Sequence, residues 1–208
     1  MDKISRILIA CEESGAVTDA FIELGFTNVW SCDLMPCSGK NPNYHLQQDV
    51  VPLLKENWDM MIAFPPCTYL TVTANRSFLS NPERWKKRFE AVMFVWELYN
   101  APINKIAIEN PKGVLSTHIR KPDQYIQPYE YGHPLSKLTG LWLKNLQPLQ
   151  PTNIVAPEWI YPKSGSGKRM SKLHANNPST NNKNNSKLRS KTFPGIAKAM
   201  AEQWGNEV

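Results

Sequence analysis

Four short strand-like runs recur in the first half of the chain, and each stops at or just before a residue able to do chemistry. They are RILIAC (6–11), TNVWSCD (27–33), DMMIAF (59–64) and KIAIEN (105–110). Helical patterns separate them. SGAVTDAFIELG follows the first, with Val17, Phe21 and Leu24 on one face, Ser14 at the N-cap position and Gly25 as the stop. NPERWKKRFEAVMFVWELYN (81–100) is the strongest helical pattern. Asn81 caps it, Pro82 takes the first helical position, and Trp85, Phe89, Val92, Trp96 and Tyr99 recur at helical spacing. That spacing predicts a stripe buried in the core. Strands alternating with helices predict an α/β fold with a mostly parallel sheet.

The chain is 208 residues long and 41% hydrophobic, with seven tryptophans, which suits one domain with a sizeable core. A formal net charge of +6 favours an anionic partner. The opening MDKISRILIACEESG has too short an apolar run for a signal peptide, and no later stretch reaches the length of a membrane span. The expectation is a soluble, cytoplasmic protein with no membrane contact. Cys11, Cys32, Cys37 and Cys67 are then reduced thiols. Their spacing forms no zinc pattern, so no metal is expected.

Beyond residue 120 the texture changes. DQYIQPYEYG and TGLWLKNL read as a strand pair, possible in the antiparallel sense. From Pro148 to Ser190 the chain is dominated by Pro, Ser, Asn and Lys and reads as a loop, with a small ordered piece around Trp159 and Tyr161. TFPGIAKAMAEQW then reads as a terminal helix that buries Ile196, Met200 and Trp204. The expected organisation is a core over 1–147, a basic loop-rich segment over 148–190, and a helix over 191–208 that returns to the core.

Ligands in open α/β sheets sit outside the carboxyl ends of the strands. Four features converge on that edge: the CEESG turn (Cys11, Glu12, Glu13, Ser14, Gly15), Asp33, Pro66-Cys67 and Glu109-Asn110. A small-residue turn followed by an acid roughly 20 residues on suits an adenosine ribose diol. Glu12 and Glu13 would repel a diphosphate, which favours a cationic, phosphate-free nucleoside such as S-adenosylmethionine. Asp49, after HLQQ, is placed on the adenine side. The plainer alternatives are loop-facing acids, a buried core thiol at Cys67 and a structural ion pair at Glu109.

Pro66-Cys67 followed by Glu109-Asn110 resembles the Pro-Cys and Glu-Asn signatures of DNA cytosine-5 methyltransferases, and ACEESG stands in place of that family's cofactor loop. The resemblance covers about residues 6–115, resumes at RSKTFPGIAKAM, and is nearest to the compact members met in bacteriophages. It implies a Rossmann-like class I methyltransferase fold and a covalent mechanism. Cys67 adds to carbon 6 of an extruded cytosine, and Glu109 holds and protonates ring nitrogen 3. Asn110 positions the loop or base edge, and carbon 5 takes the methyl group. A thiol ordinarily titrates near about 8.5, so Cys67 needs an electropositive setting.

The long region that reads DNA sequence in that family is missing. In its place stand Lys163, Lys168, Arg169, Lys172, Lys183, Lys187, Arg189 and Lys191. Either this is a solvated loop or it clamps phosphates, with Lys168, Arg169 and Lys172 as contacts, and a protein partner supplies specificity. GHPLSKLTGLWL replaces an arginine-rich segment, leaving Lys137 to reach the base or cofactor and His133 as a structural residue. Lys191 and Arg189 flank the cofactor side; they either face solvent or recognise a carboxylated derivative of S-adenosylmethionine. Two other functions stand beside the first. FPPC allows an exocyclic amino-methyltransferase, although Phe64 replaces its polar residue and Cys67 its aromatic. The acids of the cofactor loop allow an inactive DNA-binding protein.

Overall fold

The computed structural model describes residues 5–72, 75–161, 169–171 and 191–208. Lys168, Lys172 and Arg189 lie outside the described residues, as do Lys163, Lys183 and Lys187. Five parallel strands come first: β1 (Ile7–Ala10), β2 (Val29–Asp33), β3 (His45–Gln47), β4 (Met60–Ala63) and β5 (Lys105–Pro111). The sheet is completed by β6 (Gln124–Ile126) and β7 (Thr139–Lys144), in the order β3-β2-β1-β4-β5-β7-β6. Only β7 runs against its neighbours. β1 and β4 are buried at every position, which is why their sequences read as unbroken apolar runs rather than alternating ones. This is the Rossmann-like, mostly parallel α/β fold that the sequence predicts. The strand order reverses between β1 and β4, so the crevice above their carboxyl ends is the place such a sheet offers a ligand.

Helices α1 (Ala16–Glu23) and α5 (Pro194–Trp204) pack together on one face. Their apolar sides join Ile7, Ile9 and Ile62 in one core cluster that includes Phe21, Phe26, Ile196, Met200 and Trp204. The terminal helix therefore buries the three residues expected of it. The other face carries Leu8, Met61 and Ile108 beneath α3 (Glu83–Tyr99), which follows the short α2 (Arg76–Ser80). A single turn, α4 (Leu115–His118), follows β5. Strands β8 (Trp159–Ile160) and β9 (Met170–Ser171) form a separate antiparallel pair, the ordered piece expected near Trp159; Tyr161 is exposed beside it.

Three local expectations are corrected. Asn81 does not cap α3 with its side chain; Pro82 occupies the N-cap position. Ser14 is not the N-cap of α1, because the chain turns into that helix at Gly15, with φ of 68°. The stripe of α3 is only partly core: Trp85, Phe89 and Trp96 are exposed, Val92 and Tyr99 pack half-buried against the core, and Arg88, Val95 and Leu98 are buried. Arg88 takes the inward position because its guanidinium donates to the carbonyls of Tyr69 (2.7 Å) and Thr71 (3.1 Å) and to Asn75 Oδ1 (2.9 Å). Loop carbonyls that need donors outweigh the burial of one more ring.

Candidate active site

All four features picked out in the sequence lie at the carboxyl edge of the parallel strands. β1 leads into Cys11, which has a positive φ of 58°, and then into Glu12. Glu12 is buried and turned back on the following helix. Its Oε1 accepts from Val17 N (2.6 Å), and its Oε2 accepts from Thr18 N (3.2 Å) and the Thr18 hydroxyl (2.7 Å). The carboxylate thus fills the anion-binding mouth of α1, the position a diphosphate takes in dinucleotide-binding relatives of this architecture. Glu12 is therefore not the loop-facing acid expected from the sequence but a carboxyl group seated at the helix mouth itself.

Burial pushes the Glu12 carboxyl up to about 7, against the hydrogen bonds from Val17 and Thr18 that favour the anion. An unfolded glutamate titrates near about 4.3, so the folded chain holds the extra proton between the two values. The carboxyl therefore contributes most stability at the acid end, and that contribution declines as pH rises toward 7. Glu12→Gln should lower stability by about 1–2 kcal/mol through loss of one acceptor at the helix mouth. Urea unfolding at pH 5 and pH 8 checks this: the deficit of the variant should be larger at pH 5.

Asp33 ends β2 and its Oδ1 accepts from Met35 N (2.9 Å); Asp49 follows β3 and accepts from Val51 N (3.0 Å). Both act on Cys11: burial first, then Asp33, Cys32 and Asp49, hold its thiol above the usual range. The two acids and the turn after β1 therefore share one locality. Ser38 N donates to the Glu13 carbonyl (2.9 Å), and a side chain at Gly39 would strike the Ser14 carbonyl, so the loop after β2 lies directly against the Ser14-Gly15 turn. None of the four cysteines is joined in a disulfide.

On the other side of the crevice, β4 runs through Phe64 to Pro65, Pro66 and Cys67. The Cys67 carbonyl accepts from Leu70 N (3.0 Å) and Thr71 N (3.2 Å), closing a tight turn. Asn110 is buried and its Nδ2 donates to the Pro65 carbonyl (2.9 Å), so the Glu-Asn strand holds the Pro-Cys loop in place. Among the described residues, Asn110 Oδ1 has no hydrogen-bond partner. A second brace comes from the segment after β5, where Val114 N donates to the Leu70 carbonyl (2.8 Å). A Cβ on Gly113 would lie 2.1 Å from that same carbonyl oxygen, so only glycine permits the approach. Arg88 is the third brace.

Glu109 extends past the last β4–β5 pair, Ala63–Ile108, and sits opposite Leu141 of β7. Burial raises its carboxyl above the usual range, while the charge of Lys137 and a hydrogen bond from Thr139 pull it back. Lys137 thus stands beside Glu109, and its backbone N–H donates to Gln127 Oε1 (3.0 Å). His133 Nε2 accepts from Gly195 N (2.9 Å), fastening the start of α5; burial lowers its pKa. Lys191 is exposed. Arg169 lies over the Trp159 ring at 4.4 Å. Its hairpin is tied to the Lys137 segment by Ser136 N donating to Ser171 Oγ (3.2 Å) and Glu158 N donating to the Pro134 carbonyl (2.9 Å).

Arg88, Gly113 and Thr139 were not picked out in the sequence. Thr139 had one available signal, its place as the first residue of the strand opposite Glu109-Asn110; the other two had none that stands apart from helix and turn patterns. Among the described residues, no group of three or more His, Cys, Asp or Glu is arranged to hold a metal ion, and no helix is long and apolar enough to cross a membrane.

The molecule is a Rossmann-like α/β protein with a thiol, a carboxyl group and a lysine at the ligand edge of its sheet. No protein-family model and no curated protein matches the chain. It is similar to a solved structure of a candidate DNA modification methyltransferase encoded within a prophage (E. coli), at 16% identity and a TM-score of 0.45. The match covers 73% of this chain and 52% of the other, so the chain spans about half the length of the structure it matches.

Proposed function

We propose that the protein transfers a methyl group from S-adenosylmethionine to carbon 5 of cytosine in DNA, through a covalent bond to Cys67. The observation that carries this reading is the coupling of the two signatures: Asn110 of the Glu-Asn strand donates directly to Pro65 of the Pro-Cys loop. That bond fixes the thiol loop relative to the carboxyl group of the adjoining Glu109.

In this reading Cys67 Sγ forms a bond to carbon 6 of the flipped-out base. Electron density moves through the ring to nitrogen 3, where Glu109 donates a proton or hydrogen bond; Lys137 stands beside that carboxyl group. S-adenosylmethionine would supply the electrophilic methyl group to carbon 5, its sulfur–methyl bond breaking to leave the neutral thioether S-adenosylhomocysteine. Loss of the carbon-5 proton then returns the electron pair, the Cys67–carbon 6 bond breaks, and the thiolate is regenerated. Cys11, Glu13, Ser14, Gly15, Asp33 and Asp49 line the cofactor side, with Asp33 suited to the ribose diol. Glu12 supports the choice of a phosphate-free nucleoside by occupying the helix mouth. Pro66 shapes the loop, and Arg169, with Lys168 and Lys172 next to it in sequence, is assigned to phosphate contacts that do not read bases.

The test uses duplex DNA carrying 5-fluorocytosine, which blocks loss of the group at carbon 5. With S-adenosylmethionine present, wild type should become covalently attached. Cys67→Ser should give no adduct and lose at least about 10³-fold in methyl transfer. A fully active Cys67→Ser variant would instead indicate exocyclic amino methylation. Absence of S-adenosylmethionine binding by calorimetry would favour a DNA-binding protein without catalysis.

A further inference from the structure

The outer face of α3 carries an apolar stripe that the described chain leaves in solvent. Trp85, Phe89, Met93 and Trp96 are 47%, 59%, 60% and 48% exposed. Successive spacings of four, four and three residues put them on one line along the helix. Four large apolar side chains in one line, two of them tryptophan, are the composition of an interface core rather than of ordinary surface.

The charges beside the stripe indicate what covers it. Lys86, Glu90 and Glu97 are exposed and lie along one flank. Lys86 and Glu97 are three turns apart on that flank, with the cation near the amino end and the anion near the carboxyl end. We propose that two copies of the chain pack α3 against α3 in the antiparallel sense, about a two-fold axis through the middle of the stripe. Such an axis sets the same flank of both helices side by side and reverses their direction. Lys86 of each copy then meets Glu97 of the other, Trp85 meets Trp96, and Phe89 meets Met93, while the two Glu90 side chains come nearest the axis at the outer, solvated edge of the seam. A parallel pair would set Lys86 against the opposite flank, which carries Val92 and Tyr99, and would align the two helix dipoles unfavourably.

Other occupants fit less well. Glu90 and Glu97 would face the phosphates of a nucleic acid lying on the stripe. The sequence of 162–168 and 172–190 offers only Leu173, Ala175 and Leu188 as non-proline apolar residues, too few to fill it. The dimer does not depend on the proposed chemistry, since the catalytic residues lie outside the stripe.

Sedimentation velocity of the full chain across about 1–200 μM tests this, because one helical seam is a small interface with affinity of roughly micromolar order. Wild type should dimerise, and Phe89→Glu should raise the dimer Kd at least about tenfold. Lys86→Glu and Glu97→Lys should each weaken the dimer about threefold or more, and the double exchange should restore it, since the pair is re-formed with its signs swapped. These positions are exposed, so melting temperatures measured well below the dimer Kd, where linkage to dimerisation is absent, should match wild type and confirm that the variants fold. A wild type that stays monomeric at 200 μM overturns the proposal. Hydroxyl-radical footprinting of Trp85 and Phe89 in that monomer would then assign the stripe to the chain itself if both are protected, or to nucleic acid if only added duplex protects them. A dimer indifferent to Phe89→Glu, or a double exchange as weak as the single variants, overturns it equally.

Discussion

Glu109→Gln should lower methyl transfer by about 10²–10³-fold and remove the alkaline fall of its pH profile. Burial raises the Glu109 carboxyl group, with Lys137 and Thr139 opposing that shift. A raised pKa keeps the proton available under conditions where a surface glutamate has lost it. Activity that needs this proton declines as pH rises through the raised value, while activity that needs the Cys67 thiolate increases with pH. Wild type should therefore show a bell, and the glutamine variant only its ascending limb. Glutamine retains an N–H donor for ring nitrogen 3 but cannot transfer a proton, which separates acid catalysis from hydrogen bonding. Single-turnover methyl transfer followed across a pH range wide enough to span both limbs reads them. A variant with the wild-type rate, or one that keeps the alkaline fall, would remove Glu109 from the mechanism.

Trp204→Ala should destabilise the fold by about 3–5 kcal/mol, the range for truncating a fully buried large aromatic side chain. Trp204 has no exposed surface and joins the cluster containing Phe21, Phe26, Leu146 and Leu149. Its indole N–H donates to the Gln147 carbonyl (2.9 Å), so alanine leaves both a cavity and an unsatisfied acceptor. Trp204→Phe keeps much of the packing and should forfeit clearly less. Denaturant unfolding of both variants measures the difference. A deficit below about 1 kcal/mol for alanine would mean that α5 is not fastened to the core as described.

The sequence makes the strands legible because burial on both faces leaves continuous apolar runs, and their ends mark the ligand edge. β3 escapes because His-Leu-Gln at an edge position carries no such run. The helix 83–99 shows a different limit. Periodicity gives a period but not which of two faces turns inward, and Arg88 settles that by satisfying carbonyls on a loop distant in sequence. Glu12 is similar: its acidity is visible in the sequence, whereas its partner, the mouth of the very next helix, is a matter of backbone direction. The Pro-Cys and Glu-Asn pairs could be read as one site from order alone. The hydrogen bond that joins them could not.

The reactive loop and the outside of the molecule are separated by very little material. Arg88 reaches the carbonyls on both sides of Leu70, those of Tyr69 and Thr71, two and four residues beyond Cys67, and its guanidinium also lies 5.5 Å from the Trp85 ring. One side chain therefore stands between an indole exposed to solvent and the turn that carries the thiol. The surface of α3 and the turn beyond Cys67 therefore share one guanidinium, and a change at Trp85 is a change in the surroundings of the group that braces that turn.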